Sequence, residues 1–174
     1  GQDLFAQLLP DDPVKIAERE LIGKDLPGFF PTPRPVIERM LELAAIENHH
    51  RVLEPSCGKG DILVALKEEH PELELHAIER NYTLSDVLSA KGHAVEFTDF
   101  LDHAGSYDRI VMNPPFENGQ DIEHVQHAYS LLAPGGRLVS VMCEGPFFRS
   151  DVKSVAFRDW RDTVAGETEE LPDN

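Results

Sequence analysis

Positive charge is scarce in this sequence. Lys and Arg total 16 against 32 Asp and Glu, a formal net charge of −16. No stretch gathers basic residues into a run. Proteins that grip nucleic acid unaided carry a basic stripe, because phosphate contacts supply most of the non-specific affinity. An activity on nucleic acid would therefore need a partner protein, or a separate target-recognition segment, to supply that grip. Cysteine is scarcer still, with Cys57 and Cys143 the only two. That argues against a disulfide framework and makes a reducing, cytoplasmic setting the default expectation. Neither cysteine has a second Cys or a His at metal-ligand spacing. No apolar run approaches the roughly 20 residues of a membrane span. The opening Gly1-Gln2-Asp3-Leu4 lacks the basic start and apolar core of a signal peptide. What is left is 174 residues, 41% apolar and 28% charged, the profile of one ordinary globular domain.

Hydrophobic periodicity divides the chain into alternating helices and strands. Residues 1–28 read as a helical extension that begins at Asp11-Asp12-Pro13 and lies across a main domain, 29–174. Phe29-Phe30-Pro31-Thr32-Pro33 is a rigid aromatic turn. Thr32 is placed to cap a helix that runs to about Ile46, with Val36, Ile37, Met40, Leu41, Ala44 and Ala45 on one face. Strands are expected at Arg51–Leu53, Leu73–Ile78, Ala94–Phe97, Tyr107–Met112 and Arg137–Cys143. Helices are expected after Asp61, over Tyr82–Ala90, over Gln120–Leu132 and over Val152–Val164. Ala133-Pro134-Gly135-Gly136 reads as a tight turn and Pro146-Phe147-Phe148 as a loop. Val155, Trp160 and Val164 are the expected packing residues of the last helix. Strands alternating with helices imply an α/β fold, a Rossmann-like three-layer sandwich around a parallel sheet.

The first four strand ends carry the polar chemistry. The first runs into Glu54-Pro55-Ser56-Cys57-Gly58-Lys59-Gly60, a strand–glycine turn–helix opening of the nucleotide-binding kind. Its glycines would let backbone pass close to a ligand. The pattern is neither G-x-G-x-x-G nor a Walker A loop, and the acid at Glu54 would repel a pyrophosphate. Glu79, followed by Arg80, ends the second strand, where an acid meets ribose hydroxyls in a doubly wound sheet. Asp99-Phe100 follows the third strand, an acceptor beside a flat ring. Asn113-Pro114-Pro115-Phe116 follows the fourth. Each of those prolines fixes its own φ, removes a backbone donor and restricts the residue before it. The Asn113 amide and nearby carbonyls thus form a fixed acceptor cluster beside an aromatic face, suited to a planar group with an exocyclic amine. No metal site is expected. His124 and His127 lie three apart on a helix without a third ligand and read as two solvated histidines, and His49-His50 as the loop before a strand. No Ser-His-Asp or Cys-His arrangement is legible.

Taken together, Phe30-Pro31-Thr32-Pro33, the Glu54–Gly60 stretch, Glu79, Asp99-Phe100 and Asn113-Pro114-Pro115-Phe116 resemble the class I S-adenosylmethionine-dependent methyltransferases. More narrowly, they resemble the amino-methylating DNA adenine methyltransferases. The resemblance implies that S-adenosylmethionine, with S-adenosylhomocysteine as product, is bound by Phe30, Thr32, Pro33, Glu54, Pro55, Ser56, Cys57, Gly58, Gly60, Glu79, Arg80, Asp99, Phe100 and Asn113. Within that set it places Glu79 on the ribose, and Asp99 and Phe100 on the adenine. It implies that Asn113, Pro114, Pro115 and Phe116 are catalytic. Asn113 and the Pro114 carbonyl would accept hydrogen bonds from the target nitrogen while Phe116 stacks on its ring. It makes DNA, in a restriction–modification setting, the expected nucleic-acid substrate. RNA adenine, a protein glutamine, or a catalytically silent methyltransferase-like subunit are the alternatives. Enzymes of this kind usually continue with two further strands and a target-recognition domain, so those C-terminal strands are expected to be missing from this sequence.

Overall fold

The computed structural model describes residues 12–21 and 31–171. Its elements run α1 (Pro13–Leu21), α2 (Arg34–Ala44), β1 (Arg51–Glu54), α3 (Asp61–Glu69), β2 (Glu74–Glu79), α4 (Ser85–Ala90), β3 (Glu96–Phe97), β4 (Tyr107–Met112), α5 (Gln120–Ser130), β5 (Leu132–Ser140), α6 (Gly145–Phe148) and α7 (Val152–Thr163). The five strands form one sheet in the order β3-β2-β1-β4-β5, and every pairing is parallel. The chain steps outward from β1 to β3, then returns to lay β4 on the other side of β1. That reversal opens a crevice beyond the carboxyl ends of β1 and β4, where open α/β sheets bind their ligands.

Strand alternation sorts the core into two faces. Val52 and Val111 point to one side and pack under Ile37, Met40, Leu41 and Ala44 of α2 and Ile62, Ala65 and Leu66 of α3. Leu53, Ile110 and Met112 point to the other side and meet Ala128 of α5. Leu63 of α3 continues the first layer toward Val87 and Leu88 of α4, and there α1 adds Ala17 and Leu21. Lys91 pairs with Glu18 at 3.4 Å, which ties α1 to the end of α4; the rest of the expected extension over 1–28 lies outside the described residues. Among the described residues no helix is long and apolar enough to cross a membrane.

Several local expectations change. Thr32 does not cap α2: Pro33 holds the cap position with no side-chain bond, and Pro35 sits inside the first turn. The helix ends at Ala44 because Ala45 turns left-handed, φ 49°. The strand expected from Arg137 starts at Leu132. Leu132 pairs with Tyr107 and Arg137 with Arg109, so the Ala133–Gly136 turn is absorbed as a bulge rather than preceding the strand. Gly136 suits that bulge, since a Cβ there would come within 2.8 Å of the Ala133 carbonyl oxygen. Pro146-Phe147-Phe148 belongs to a short helix, not a loop. In α7 the buried anchor is Phe157, while Val155 is exposed.

Candidate active site

A cleft of about 540 Å³ lies across the carboxyl ends of β1, β2, β3 and β4. That is within the roughly 300–1,000 Å³ typical of small-molecule sites. Thr32, Pro55, Ser56, Cys57, Gly58, Glu79, Arg80, Asp99, Phe100, Asn113, Pro114 and Pro115 all line it. Five stretches far apart in sequence therefore meet in one place. Phe30 lies outside the described residues. Pro33, Glu54, Gly60 and Phe116 are not among the lining residues.

Glu79 organises the glycine loop. Its Oε2 accepts from the Gly58 N–H at 2.8 Å and its Oε1 from the Asn81 N–H at 2.9 Å. The Cys57 N–H donates to the Ile78 carbonyl at 3.0 Å. The turn is thus pinned to the end of β2, with Gly58 at φ 54°. Gly60 does not line the cleft. It stands at φ 91° before α3, and a Cβ there would lie 2.9 Å from the His93 ring, so its small size serves packing beneath the cleft.

Glu54 lies under the same loop, fully buried. One carboxylate oxygen accepts from the Ser56 N–H at 3.3 Å and the other has no partner. Burial, reinforced by nearby Glu79, pushes the Glu54 carboxyl well above the usual carboxylate range. Cys57 is buried as well, and its thiol is pushed up by desolvation and by Glu54. A thiol so disfavoured as thiolate is no nucleophile.

The Asn113 loop is tied on both sides. The Asn113 Nδ2 donates to the Thr32 hydroxyl at 2.8 Å, and the Ser56 hydroxyl donates to the Asn113 carbonyl at 3.1 Å. The Thr32 hydroxyl therefore serves the site rather than the helix cap. Committing Nδ2 to Thr32 fixes Oδ1 as the acceptor end of the amide. Asp99 caps the short turn of helix at Phe100–Asp102 by accepting from the Leu101 N–H at 3.0 Å. Phe100 lines the cleft with little of its ring exposed, because it packs between His124 and His127, centroids 5.7 Å and 4.8 Å away.

Two histidines depart from expectation. His127 is half-buried and bonds through Nε2 to the His103 carbonyl at 2.8 Å. His124 is buried, lines the cleft beside Asp99, and has a buried Nδ1 with no partner. Neither is a solvated helix residue. Two positions of sequence context could have signalled this, since Ile122 and Val125 flank His124 on the inward face of α5. At the far end of β1, Glu47, His49 and His50 bring ligand atoms within 4.8 Å of one another. However, His50 Nδ1 already accepts from the Glu47 N–H at 2.9 Å, which commits that lone pair.

The sequence of residues 36–150 matches the model of the methyltransferase small domain. The chain belongs to that family. Its cofactor is S-adenosylmethionine. The cleft suits such a molecule on its own evidence: among the described residues Asp61, Glu79, Asp99 and Glu117 line it against Lys59 and Arg80, so a cationic ligand is favoured. Among similar proteins are the ribosomal RNA small subunit methyltransferases C of Pasteurella multocida and Mannheimia succiniciproducens. The first is 30% identical over 65% of this chain and 39% of its own length, the second 31% over 68% and 40%. The chain thus spans about two fifths of those relatives. The fold is shared with an RNA methyltransferase from Salinibacter ruber solved with S-adenosyl-L-homocysteine. Its TM-score is 0.55 at 23% identity, covering 70% of this chain and 84% of that one. It is shared too with a modification subunit of a proposed type I restriction enzyme from Vibrio vulnificus. That TM-score is 0.61 at 22% identity, covering 84% of this chain and 40% of that one.

Proposed function

We propose that this methyltransferase domain methylates an exocyclic amino nitrogen of a base in RNA. The observation that carries the reading is the Asn113-Pro114-Pro115 turn, held at the β1/β4 crevice by Thr32 and Ser56. RNA is favoured over the DNA adenine expected from the motifs, because the relatives at about 30% identity act on ribosomal RNA. The restriction-type neighbour shares the fold alone.

An exocyclic amine is a poor nucleophile because its lone pair is delocalised into the ring. In this reading Asn113 Oδ1 and the Pro114 carbonyl accept its two N–H bonds, favour a more tetrahedral nitrogen and aim the lone pair. Phe116, half-buried at the end of the turn, offers a face to the base. S-adenosylmethionine supplies the electrophilic methyl group. Glu79, Gly58 and Arg80 would hold it at the β2 side, and Asp99 and Phe100 would hold its purine. The chain's contribution is position and electrostatics, without a covalent protein intermediate.

The test is transfer of labelled methyl from S-adenosylmethionine with RNA, duplex DNA and a protein extract offered side by side. Label recovered in methylated nucleosides of RNA supports the proposal. Label in DNA adenine would restore the motif-based expectation. Label in protein would move the substrate to a side-chain amide.

A further inference from the structure

His124 is costly as a packing residue. It occupies an inward position of α5 between Ile122 and Val125, is only 7% exposed, and leaves Nδ1 buried without a hydrogen bond. A leucine would cover Phe100 as well and strand no polar atom. Its neighbour one turn on, His127, shows what a satisfied histidine looks like here, with Nε2 on the His103 carbonyl at 2.8 Å. The two rings flank Phe100, and only the unsatisfied one lines the cleft. It does so beside Asp99, whose Oδ1 is taken by the Leu101 N–H.

We propose that His124 is a specificity residue for the purine of the cofactor: its imidazole donates to a ring nitrogen next to the 6-amino group, while the Asp99 carboxylate accepts from that amino group. The pair is a donor and an acceptor on one wall of the cleft. Adenine presents the complement, an amino donor flanked by acceptor nitrogens at N1 and N7. A 6-oxo purine presents the reverse at its N1 edge, with an oxygen at position 6 and N–H at N1. It would set carbonyl against carboxylate, and a histidine that addresses N1 would meet N–H with N–H. Burial lowers the basicity of His124, so the ring is neutral at physiological pH and carries a single N–H. Unpaired polar groups of this kind discriminate strongly, because a wrong ligand leaves them buried and unsatisfied.

The inference rests on the cleft being the cofactor site, and the experiment separates the two. Binding of S-adenosylhomocysteine, its 1-deaza and 7-deaza analogues and S-inosylhomocysteine is measured by calorimetry. The proteins are the full chain and its His124→Leu and His124→Asn variants, with thermal melts confirming that each is folded. The parent protein is expected to bind S-adenosylhomocysteine about 10-fold or more tighter than the inosyl form and than one of the deaza forms, a factor typical of one buried hydrogen bond. His124→Leu is expected to lose that factor with S-adenosylhomocysteine yet bind the same deaza analogue as the parent does. His124→Asn, which retains a donor, is expected to recover part of it. Equal affinity of parent and His124→Leu for S-adenosylhomocysteine would overturn the role of His124 and leave the cofactor site standing. So would losses to both deaza forms that are the same in the parent and in His124→Leu. No binding by the parent protein would overturn both.

Discussion

Glu79 offers the sharpest test of how the glycine loop is built. Its carboxylate spans two backbone donors, Gly58 N–H at 2.8 Å and Asn81 N–H at 2.9 Å, one on each oxygen. Glu79→Ala removes both. A hydrogen bond to a charged group contributes about 1.5–3 kcal/mol. The site is half-open, so water replaces part of what is lost, and the expected net cost is about 2–3 kcal/mol. At about 2–4 °C per kcal/mol for a domain of this size, the melting temperature should fall by about 4–12 °C. Glu79→Gln keeps one acceptor oxygen but points an amide N–H at the other donor, so it should fall between the two. Binding should suffer more than folding does, because the freed loop no longer presents the Gly58 backbone at a fixed place. S-adenosylhomocysteine affinity should drop about 10- to 100-fold in Glu79→Ala. Thermal melts and calorimetry check both effects. A Glu79→Ala protein that melts and binds like the parent would refute the claim that this carboxylate organises the loop.

Three further outcomes follow from the same geometry. Asn113→Ala should lower methyl transfer about 10²- to 10³-fold, the range for losing one preorganised polar contact, while S-adenosylhomocysteine affinity stays within a few-fold; parallel rate and calorimetry measurements decide. Glu54 has its folded pKa raised above the ordinary 4.5, first by desolvation and then by Glu79, so its contribution is intact below that value and is lost as pH rises. Glu54→Gln should therefore gain on the parent by about 1.4 kcal/mol, or about 3–6 °C in melting temperature, per pH unit above the unfolded pKa until the folded carboxyl ionises; melts across about pH 4–8 show it. Cys57, buried and with its thiol pushed up, should resist iodoacetamide at neutral pH in the native protein and react once the chain is unfolded, as mass spectrometry would show.

The order of elements was legible because β1 and β4 hold short apolar runs, β2 mixes apolar and polar residues in a short stretch, and each ends in an abrupt polar turn. The site was legible because acids and an Asn-Pro-Pro turn recur at successive strand ends. Residues whose meaning depends on distant neighbours were misread. Thr32 has the local signature of a cap, but its hydroxyl is taken by Asn113, 81 positions away. Gly60 has the look of a ligand-cradling glycine, yet the atom it makes room for belongs to His93. The Ala133–Gly136 turn is a real turn whose flanks happen to pair with β4, which no local pattern announces. His124 shows the sequence only its i, i+3 spacing to His127, and its proposed role depends on lining the same cleft as Asp99 and Phe100.

The hydrogen bonds around Asn113 also bear on how the domain can act. In methyl transfer, carbon and nitrogen must be brought to about 3–3.5 Å and aligned. The methyl donor and the target would here be held by different segments, the Glu54–Gly60 loop and the Asn113 turn. The Ser56 hydroxyl crosses from the first to the carbonyl of the second at 3.1 Å, and Thr32 braces the same asparagine from a third segment at 2.8 Å. The two loops are therefore tied to each other above the β1–β4 pairing, Val52 against Arg109 and Leu53 against Ile110. Removing the Ser56 hydroxyl with Ser56→Ala breaks that bridge and leaves the backbone of both loops in place. The expected signature is a fall in turnover of about 10-fold, with the KM for cofactor and the affinity for S-adenosylhomocysteine nearly unchanged. Equal losses in turnover and cofactor affinity would mean instead that Ser56 acts on the cofactor directly, and the two loops would have to be treated as independent.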